Sequence, residues 1–161
     1  MNPAEELTTA WLQEVKGFFT MNNVKVPREG GRGGMPSEID ILAVKQRKKV
    51  WVECAVSYLP RGKRKDCRFQ KELEYYTKDF FRKDKRKMVR DIFGTTKYET
   101  WLVHGNFAVA KSELPELLKA IRAKGVKPIC LSEILNDLKG LKYYRQDTAR
   151  GYVKVFKTFG M

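Results

Sequence analysis

Two acidic residues in neighbouring predicted strands form the most informative pair in the sequence. Asp40 lies in the run SEIDILAV, and Glu53 lies thirteen residues later in the run KVWVECAVS. Both runs have the composition of core strands, where an unpaired carboxylate is costly. Alternation at period two places Ile39 and Ile41 on the face opposite Asp40, and Trp51 on the face of Glu53. Two carboxylates that point the same way repel each other unless a cation lies between them, and such oxygen ligands suit a partly hydrated Mg²⁺.

The residues on either side of this pair favour a phosphate substrate. The loop 29–36 (EGGRGGMP) precedes the first strand and contains four glycines, and the basic loop 59–66 (LPRGKRKD) follows the second strand. Carboxylate-bound Mg²⁺ holds the scissile phosphate and activates water in many nucleases. The alternative is that the two acids are ordinary solvated or salt-bridged residues and that the basic loops are mobile surface charge. The candidate phosphate contacts are Arg28, Arg32, Arg61, Lys63, Arg64 and Lys65.

The charge of the chain predicts a polyanionic partner. The sequence has 33 Lys and Arg against 19 Asp and Glu, a net charge of +14. Residues 61–90 alone contain thirteen basic and five acidic residues. Nucleic acid is the partner that such a surplus favours, because each neutralised phosphate releases counterions. An anionic membrane surface and a merely solvated basic helix face remain as alternatives.

Length and composition exclude several classes of protein. A chain of 161 residues corresponds to one domain. No apolar run approaches the roughly 18 residues that a membrane span needs, and the acidic start MNPAEELTTAW is unlike a signal peptide. The cysteines are odd in number and have no CxxC spacing, which disfavours a disulfide framework or a zinc site. We therefore expect a cytoplasmic, intracellular protein with no membrane partner. The three cysteines are Cys54, Cys67 and Cys130.

The hydrophobic pattern predicts an α/β fold with a single mixed β-sheet flanked by helices, in the order α-β-β-β-α-β-α-β-α. The first helix begins with the capping residue Asn2 and extends to about residue 19, because apolar residues recur there every three to four positions. The other predicted elements are strand 24–26, hairpin strands 37–44 and 49–57, helix 67–81, strand 100–103, helix 111–124, strand 126–131, helix 132–138 and a weak edge strand at 151–156.

These features in this order resemble the PD-(D/E)XK nuclease superfamily, whose signature is an acid, a gap of ten or more residues, and then acid-x-Lys. Asp40 followed by Glu53-Cys54-Ala55 occupies those positions. Archaeal Holliday-junction resolvases and Mrr-type restriction domains are the most similar branches, because they share an N-terminal helix with a glutamate and a Gly-Phe pair. Here Glu6 precedes Gly17-Phe18 by eleven residues, with Glu5 as the alternative. The resemblance extends over about residues 3–138, ending in the strand-helix segment VKPICLSEILNDL.

The resemblance implies a restriction-endonuclease-like core in residues 1–140, with 141–161 as a basic C-terminal extension. It implies a metal-dependent DNA endonuclease acting on branched or structured DNA, with Mg²⁺ as cofactor and Mn²⁺ as its substitute. In such a nuclease the metal ligands are Asp40, Glu53 and the backbone carbonyl of Cys54, while Glu6 and Gln70 lie near the site. DNA is then favoured over RNA, and both a homodimer and a subunit of a larger assembly are open.

The sequence departs from this family at its motif lysine, which is replaced by Ala55. That lysine is thought to orient water and offset charge on the phosphate, so its loss costs orders of magnitude in rate. Three explanations are open: an engineered Lys→Ala change, a naturally inactive module that binds DNA or structured RNA, or a lysine supplied from elsewhere, with Lys71 as the candidate. We expect the chain to cleave DNA poorly or not at all, and Ala55→Lys to create or restore Mg²⁺-dependent cleavage that depends on Asp40 and Glu53. If no variant cleaves despite tight binding, the naturally inactive module is the better explanation.

Overall fold

A computed structural model describes residues 2–27, 37–56, 69–105, 107 and 112–139. The predicted C-terminal extension 141–161, the strand 151–156 and the six candidate phosphate contacts lie outside this part of the chain. The strands are β1 (Phe19–Val26), β2 (Ser37–Lys45), β3 (Lys48–Ala55), β4 (Glu99–His104) and β5 (Val126–Cys130). The helices are α1 (Pro3–Ala10), α2 (Phe69–Phe81), α3 (Lys83–Phe93), α4 (Leu114–Ala123) and α5 (Leu131–Lys139), with a π-helical segment at Trp11–Val15.

The five strands form one mixed sheet in the order β1-β2-β3-β4-β5. The first three strands are antiparallel neighbours, whereas β4 and β5 are parallel to β3 and are reached through helical connections. Parallel neighbours need such crossovers, while the antiparallel pair β2 and β3 needs only the tight turn at Gln46-Arg47. The predicted fold class, a single mixed sheet flanked by helices, is therefore confirmed.

A hydrophobic core covers each face of the sheet. On one face α1, the π-helical segment and α5 pack against Ile41, Val52 and Trp101. On the other face α2, α3 and α4 pack against Leu42, Trp51 and Leu102. Adjacent residues of one strand thus belong to different cores, as the alternation of a strand requires. Among the described residues, no helix has the length and apolar character needed to cross a membrane.

The first helix is shorter than its periodicity predicted. After Ala10 the chain forms a π-helical turn, in which the Lys16 N–H donates to the Trp11 carbonyl, and Gly17 follows with a φ of 68°. The left-handed conformation at Gly17 ends the helix. The chain then enters β1 at Phe19, so this strand is much longer than the predicted 24–26.

Helix α3, which lies between α2 and β4, is absent from the elements predicted above. Seven of its eleven residues, KDKRKMVRDIF, are charged, and this hides its apolar stripe. Val89 and Phe93, four positions apart, are buried on that stripe, and Gly94 ends the helix with a φ of 62°. This helix brings a lysine to the two acids of the hairpin.

Candidate active site

The hairpin register brings Asp40 and Glu53 to the same end of the sheet. The antiparallel pairs of β2 and β3 include Lys45 with Lys48 and Ile41 with Val52. Asp40 and Glu53 are the next residues of the two strands beyond the pair Ile41 and Val52, and both line the same cavity. The Cys54 backbone N–H donates to Asp40 Oδ2 at 2.6 Å, so the side chain of one strand is bonded to the backbone of the other.

Glu53 is a buried carboxylate whose oxygen Oε1 receives two hydrogen bonds. Its neighbour on the same face, Trp51, donates its indole N–H at 2.8 Å. The ammonium group of Lys85 donates at 2.9 Å. The side chain of Glu53 is 9% exposed and that of Lys85 is 4% exposed, so this ion pair is shielded from water. A buried ion pair needs such additional hydrogen bonds to offset the loss of hydration.

Lys85 also contacts Asp79 of α2, and thus links the hairpin to that helix. Its Nζ lies 3.4 Å from Asp79 Oδ1 as well as 2.9 Å from Glu53 Oε1. Arg82 Nη1 lies 3.9 Å from the same Asp79 oxygen, and the Arg82 guanidinium also binds Asp84 through two hydrogen bonds. Two cations are therefore held beside the two hairpin acids by the short connection between α2 and α3.

These groups face a common cavity of about 380 Å³. Ala55, at the position of the family's motif lysine, is part of its wall, and so are the phenol rings of Tyr75 and Tyr76. The charged groups of its wall include Glu5, Asp40, Glu53, Asp79, Arg82 and Lys85. The cavity is thus a polar site that is built from α1, both hairpin strands, α2 and α3.

Burial makes both hairpin acids weaker acids than usual. Burial raises the pKa of Asp40 to about 6, although the Cys54 N–H opposes this rise. Burial and the neighbouring Asp40 raise the pKa of Glu53 to about 8, and Lys85 and Trp51 offset only part of that rise. A site whose carboxylates hold protons this strongly favours a bound cation once those protons leave.

The first helix contributes Glu5 to the cavity, whereas the sequence singled out Glu6. Glu5 is buried, and it forms the capping box of α1 with Asn2, whose backbone N–H donates to Glu5 Oε2 at 3.2 Å. Its charge also contributes to the raised pKa of Asp40. Glu6 is half-buried one position further along α1 and is not among the described residues that line the cavity.

The structure places the two predicted residues of α2 away from the cavity. Gln70 is exposed, and its amide donates to Glu74 at 3.2 Å. Lys71 is also exposed, and neither residue lines the cavity within the described part of the chain. The lysine that lies beside the hairpin acids is Lys85, whereas the sequence suggested Lys71 for this role. Lys85 could not be singled out from the sequence, because it is one of several lysines and arginines in a basic segment.

The donor set of this cavity would leave much of the coordination shell of a bound metal ion to water and substrate. Within the described ranges no cluster of three or more His, Cys, Asp or Glu side chains is arranged to hold a metal. Mg²⁺ is commonly bound by one or two carboxylates with water and substrate phosphate completing its shell. Asp40 and Glu53 supply two such carboxylates, and the hydrogen bonds described above engage one oxygen of each. Burial raises the pKa of the Cys54 thiol, which makes that group a packing residue.

Comparison with known proteins supports the fold and gives no activity. No protein-family model and no curated protein matches the chain. The crystal structure of AF1548, a protein of unknown function, is similar with a TM-score of 0.52 and 20% identity, over 90% of this chain and 74% of that chain. Protein VC1899 from Vibrio cholerae gives a TM-score of 0.42 and 16% identity, over 97% of this chain and 33% of that chain.

Proposed function

We propose that this protein is a metal-dependent nuclease of the PD-(D/E)XK type, in which Lys85 replaces the missing motif lysine. The observation that carries the proposal is the buried Lys85 ammonium group, 2.9 Å from Glu53 Oε1 in the cavity that Asp40 and Ala55 also line. The side chain reaches the site from α3 rather than from β3. Of the three explanations for Ala55, this geometry favours a lysine supplied from elsewhere in the chain.

The roles of the residues follow from their positions. Asp40, Glu53 and the Cys54 carbonyl are the groups that would hold Mg²⁺. Such an ion supplies charge neutralisation at the phosphate and a lowered pKa for an attacking water. Lys85 places a second positive charge beside these acids, where it can stabilise the charge that develops on a phosphate oxygen. Arg82, in the same cavity wall, can pair with a neighbouring phosphate.

The substrate that these charges favour is a nucleic acid strand, with DNA as the first choice because of the family resemblance. The net charge of +14 supports a polyanionic substrate. The cavity wall also contains the exposed Tyr75, whose ring can stack on an unpaired base of a branched or structured substrate.

A second candidate function is a catalytically inactive module that binds nucleic acid. Lys85 Nζ donates directly to Glu53 Oε1, an oxygen that a metal ion would otherwise use. In this second function, Ala55 replaces the motif lysine and the buried salt bridge between Lys85 and Glu53 takes the place of the metal ion. This module would keep the basic surface and bind DNA or RNA without cleaving it.

A nicking assay separates the two functions. The wild-type chain is incubated with supercoiled duplex, four-way-junction DNA and a structured RNA, in Mg²⁺ or Mn²⁺ and in EDTA. The nuclease proposal expects metal-dependent cleavage that falls about 10²- to 10⁴-fold in Asp40→Asn and in Lys85→Met. Lys119→Met, an exposed lysine of α4, is the matched control and should keep full activity. Tight binding with no cleavage of any substrate would support the inactive module instead.

A further inference from the structure

The outer face of α3 forms a strongly basic cleft that is separate from the candidate active site. The cleft encloses about 450 Å³, and its wall includes the hydroxyl-bearing residues Thr96 and Tyr98. The other described residues of the wall are all cations, and no carboxylate is among them. These cations are Lys83, Arg86, Lys87 and Arg90, and all four are exposed.

The spacing of these cations along α3 matches a phosphate backbone. Lys83 and Arg90 are seven residues apart, which is about 10 Å along a helix axis. Phosphates of one strand of a duplex advance about 3.4 Å along the duplex axis, so about three phosphate steps cover the same length. Arg90 donates its Nε–H to the Arg86 carbonyl at 3.3 Å, which holds its guanidinium against the helix.

Neither acidic residue of α3 is among the described residues that line this cleft. Asp84 is bonded to Arg82, which lines the other cavity, and Asp91 is outside the described wall of the cleft. Hydroxyl groups such as those of Thr96 and Tyr98 are common phosphate donors. The cleft thus offers four cations and two hydroxyl groups to an anion that is extended along the helix.

The cleft is next to the candidate active site along the chain. Arg82 and Lys85 line the site cavity, whereas the adjacent residues Lys83 and Arg86 line the cleft. Cations at the start of α3 therefore line both the site cavity and the cleft. The cleft and the site cavity thus adjoin the same first turn of α3, the cleft on its exposed face and the cavity on the face of the buried Lys85.

We propose that the outer face of α3 binds the phosphate backbone of a nucleic acid strand and sets which phosphate enters the site. The choice of nucleic acid as partner rests on the proposed function, whereas the binding itself needs neither metal nor cleavage. Phosphate contacts of this kind fix position and register without reading sequence. Binding should therefore be similar for unrelated sequences and strongly dependent on salt.

The test is fluorescence anisotropy with a labelled 20-base-pair duplex in EDTA, over a series of salt concentrations. A variant with Lys83, Arg86, Lys87 and Arg90 all changed to Gln should lower the salt slope by about three units and weaken binding at least tenfold at low salt. The matched control changes four other exposed cations, Lys119, Arg122, Lys124 and Lys139, to Gln and should have a much smaller effect. Equal losses in the two variants, or no loss in the α3 variant, would overturn the proposal.

Two further measurements test whether the effect comes from charge and whether the partner is a nucleic acid. The variant Arg86→Lys with Arg90→Lys preserves charge and should retain the wild-type salt slope, while thermal unfolding of every variant shows that α3 has folded. Vesicles containing phosphatidylserine test a membrane surface, and the proposal is wrong if the α3 variant loses vesicle binding but keeps duplex binding. Because all these measurements exclude metal, an inactive site leaves their outcome unchanged, and failure of the nuclease proposal is seen only in the cleavage assay.

Discussion

Lys85 Nζ lies 2.9 Å from Glu53 Oε1, and this contact joins two residues that are 32 positions apart in the chain. One partner comes from the middle of the sheet and the other from a helix that packs on it, so the pair exists only in the folded protein. Both side chains are buried, and the indole of Trp51 donates to the same carboxylate oxygen. In the proposed nuclease, this lysine from α3 would take the place of the family's motif lysine, whose position on β3 is Ala55.

Removal of the lysine charge should destabilise the protein in a pH-dependent way. Because burial raises the pKa of Glu53 to about 8, this carboxyl already holds a proton at pH 6. We expect Lys85→Met to lower the free energy of unfolding more at pH 9 than at pH 6, because at pH 9 the buried Glu53 must either remain charged without its partner or take up a proton. Urea unfolding at the two pH values measures this difference.

The double variant Lys85→Met with Glu53→Gln is the control for that experiment. It removes both charges, and its unfolding free energy should therefore vary between pH 6 and pH 9 no more than that of the wild type. If Lys85→Met alone is equally destabilised at both pH values, the loss comes from packing of the lysine stem or from its contact with Asp79, and not from the pair with Glu53.

A lysine at position 55 should substitute for Lys85. Ala55 lines the same cavity and is the residue where the family motif has its lysine. We expect Lys85→Met to lower the cleavage rate about 10²- to 10⁴-fold. The double variant Lys85→Met with Ala55→Lys should cleave at least tenfold faster than Lys85→Met alone, because either lysine puts an ammonium group beside Asp40 and Glu53. Single-turnover cleavage of labelled DNA measures the recovery, and Ala55→Met in the same background should recover nothing.

The sequence could predict the hairpin acids because their position depends on local rules. Alternation at period two and a tight turn between two β-rich runs are sufficient to put Asp40 and Glu53 on adjacent strands, which the register of β2 and β3 bears out. The partner Lys85 could not be found in this way. Its burial depends on how α3 packs against the sheet, and the composition of that helix resembles an exposed basic segment.

The sequence also could not decide whether Glu5 or Glu6 of α1 faces the cavity. Adjacent residues on a helix point about 100° apart, so a spacing rule that is uncertain by one residue selects a different face. The structure assigns Glu5 to the cavity, through a capping box that orients its carboxylate. A capping residue at Asn2 with Glu at the third helical position was visible in the sequence and is the signal that could have favoured Glu5.

Glu5 and Glu6 should therefore respond differently to neutralisation. We expect Glu5→Gln to alter cleavage and to lower the pKa of Asp40, since the charge of Glu5 helps to raise that pKa. Glutamine also serves in a capping box, so the helix start is preserved. Glu6→Gln is the matched control and should leave both properties unchanged. The pKa of Asp40 is measured from side-chain carboxyl chemical shifts, and a larger effect of Glu6→Gln on either readout would contradict the assignment.

The stability of the metal-free protein should fall as Asp40 loses its proton. Burial raises the pKa of Asp40 from the usual value of 3.8 to about 6, so between these pH values the folded chain holds a proton that the unfolded chain has released. The unfolding free energy contributed by this group therefore decreases as pH rises from about 4 to about 6 and is constant above that range. Asp40→Asn removes the decrease, because an amide does not titrate.

The difference between wild type and Asp40→Asn reports this effect below about pH 6.5, where Glu53, whose pKa of about 8 is itself raised in part by Asp40, still holds its proton. We expect the wild type to lose about 2–3 kcal/mol relative to Asp40→Asn between pH 4 and pH 6.5, which corresponds to a pKa shift of about two units. Addition of Mg²⁺ at pH 8 should raise the melting temperature of the wild type and not that of Asp40→Asn, since metal binding requires the deprotonated carboxylates. Parallel pH profiles of the two proteins would show that Asp40 titrates normally and would remove the electrostatic basis for a cation at this site.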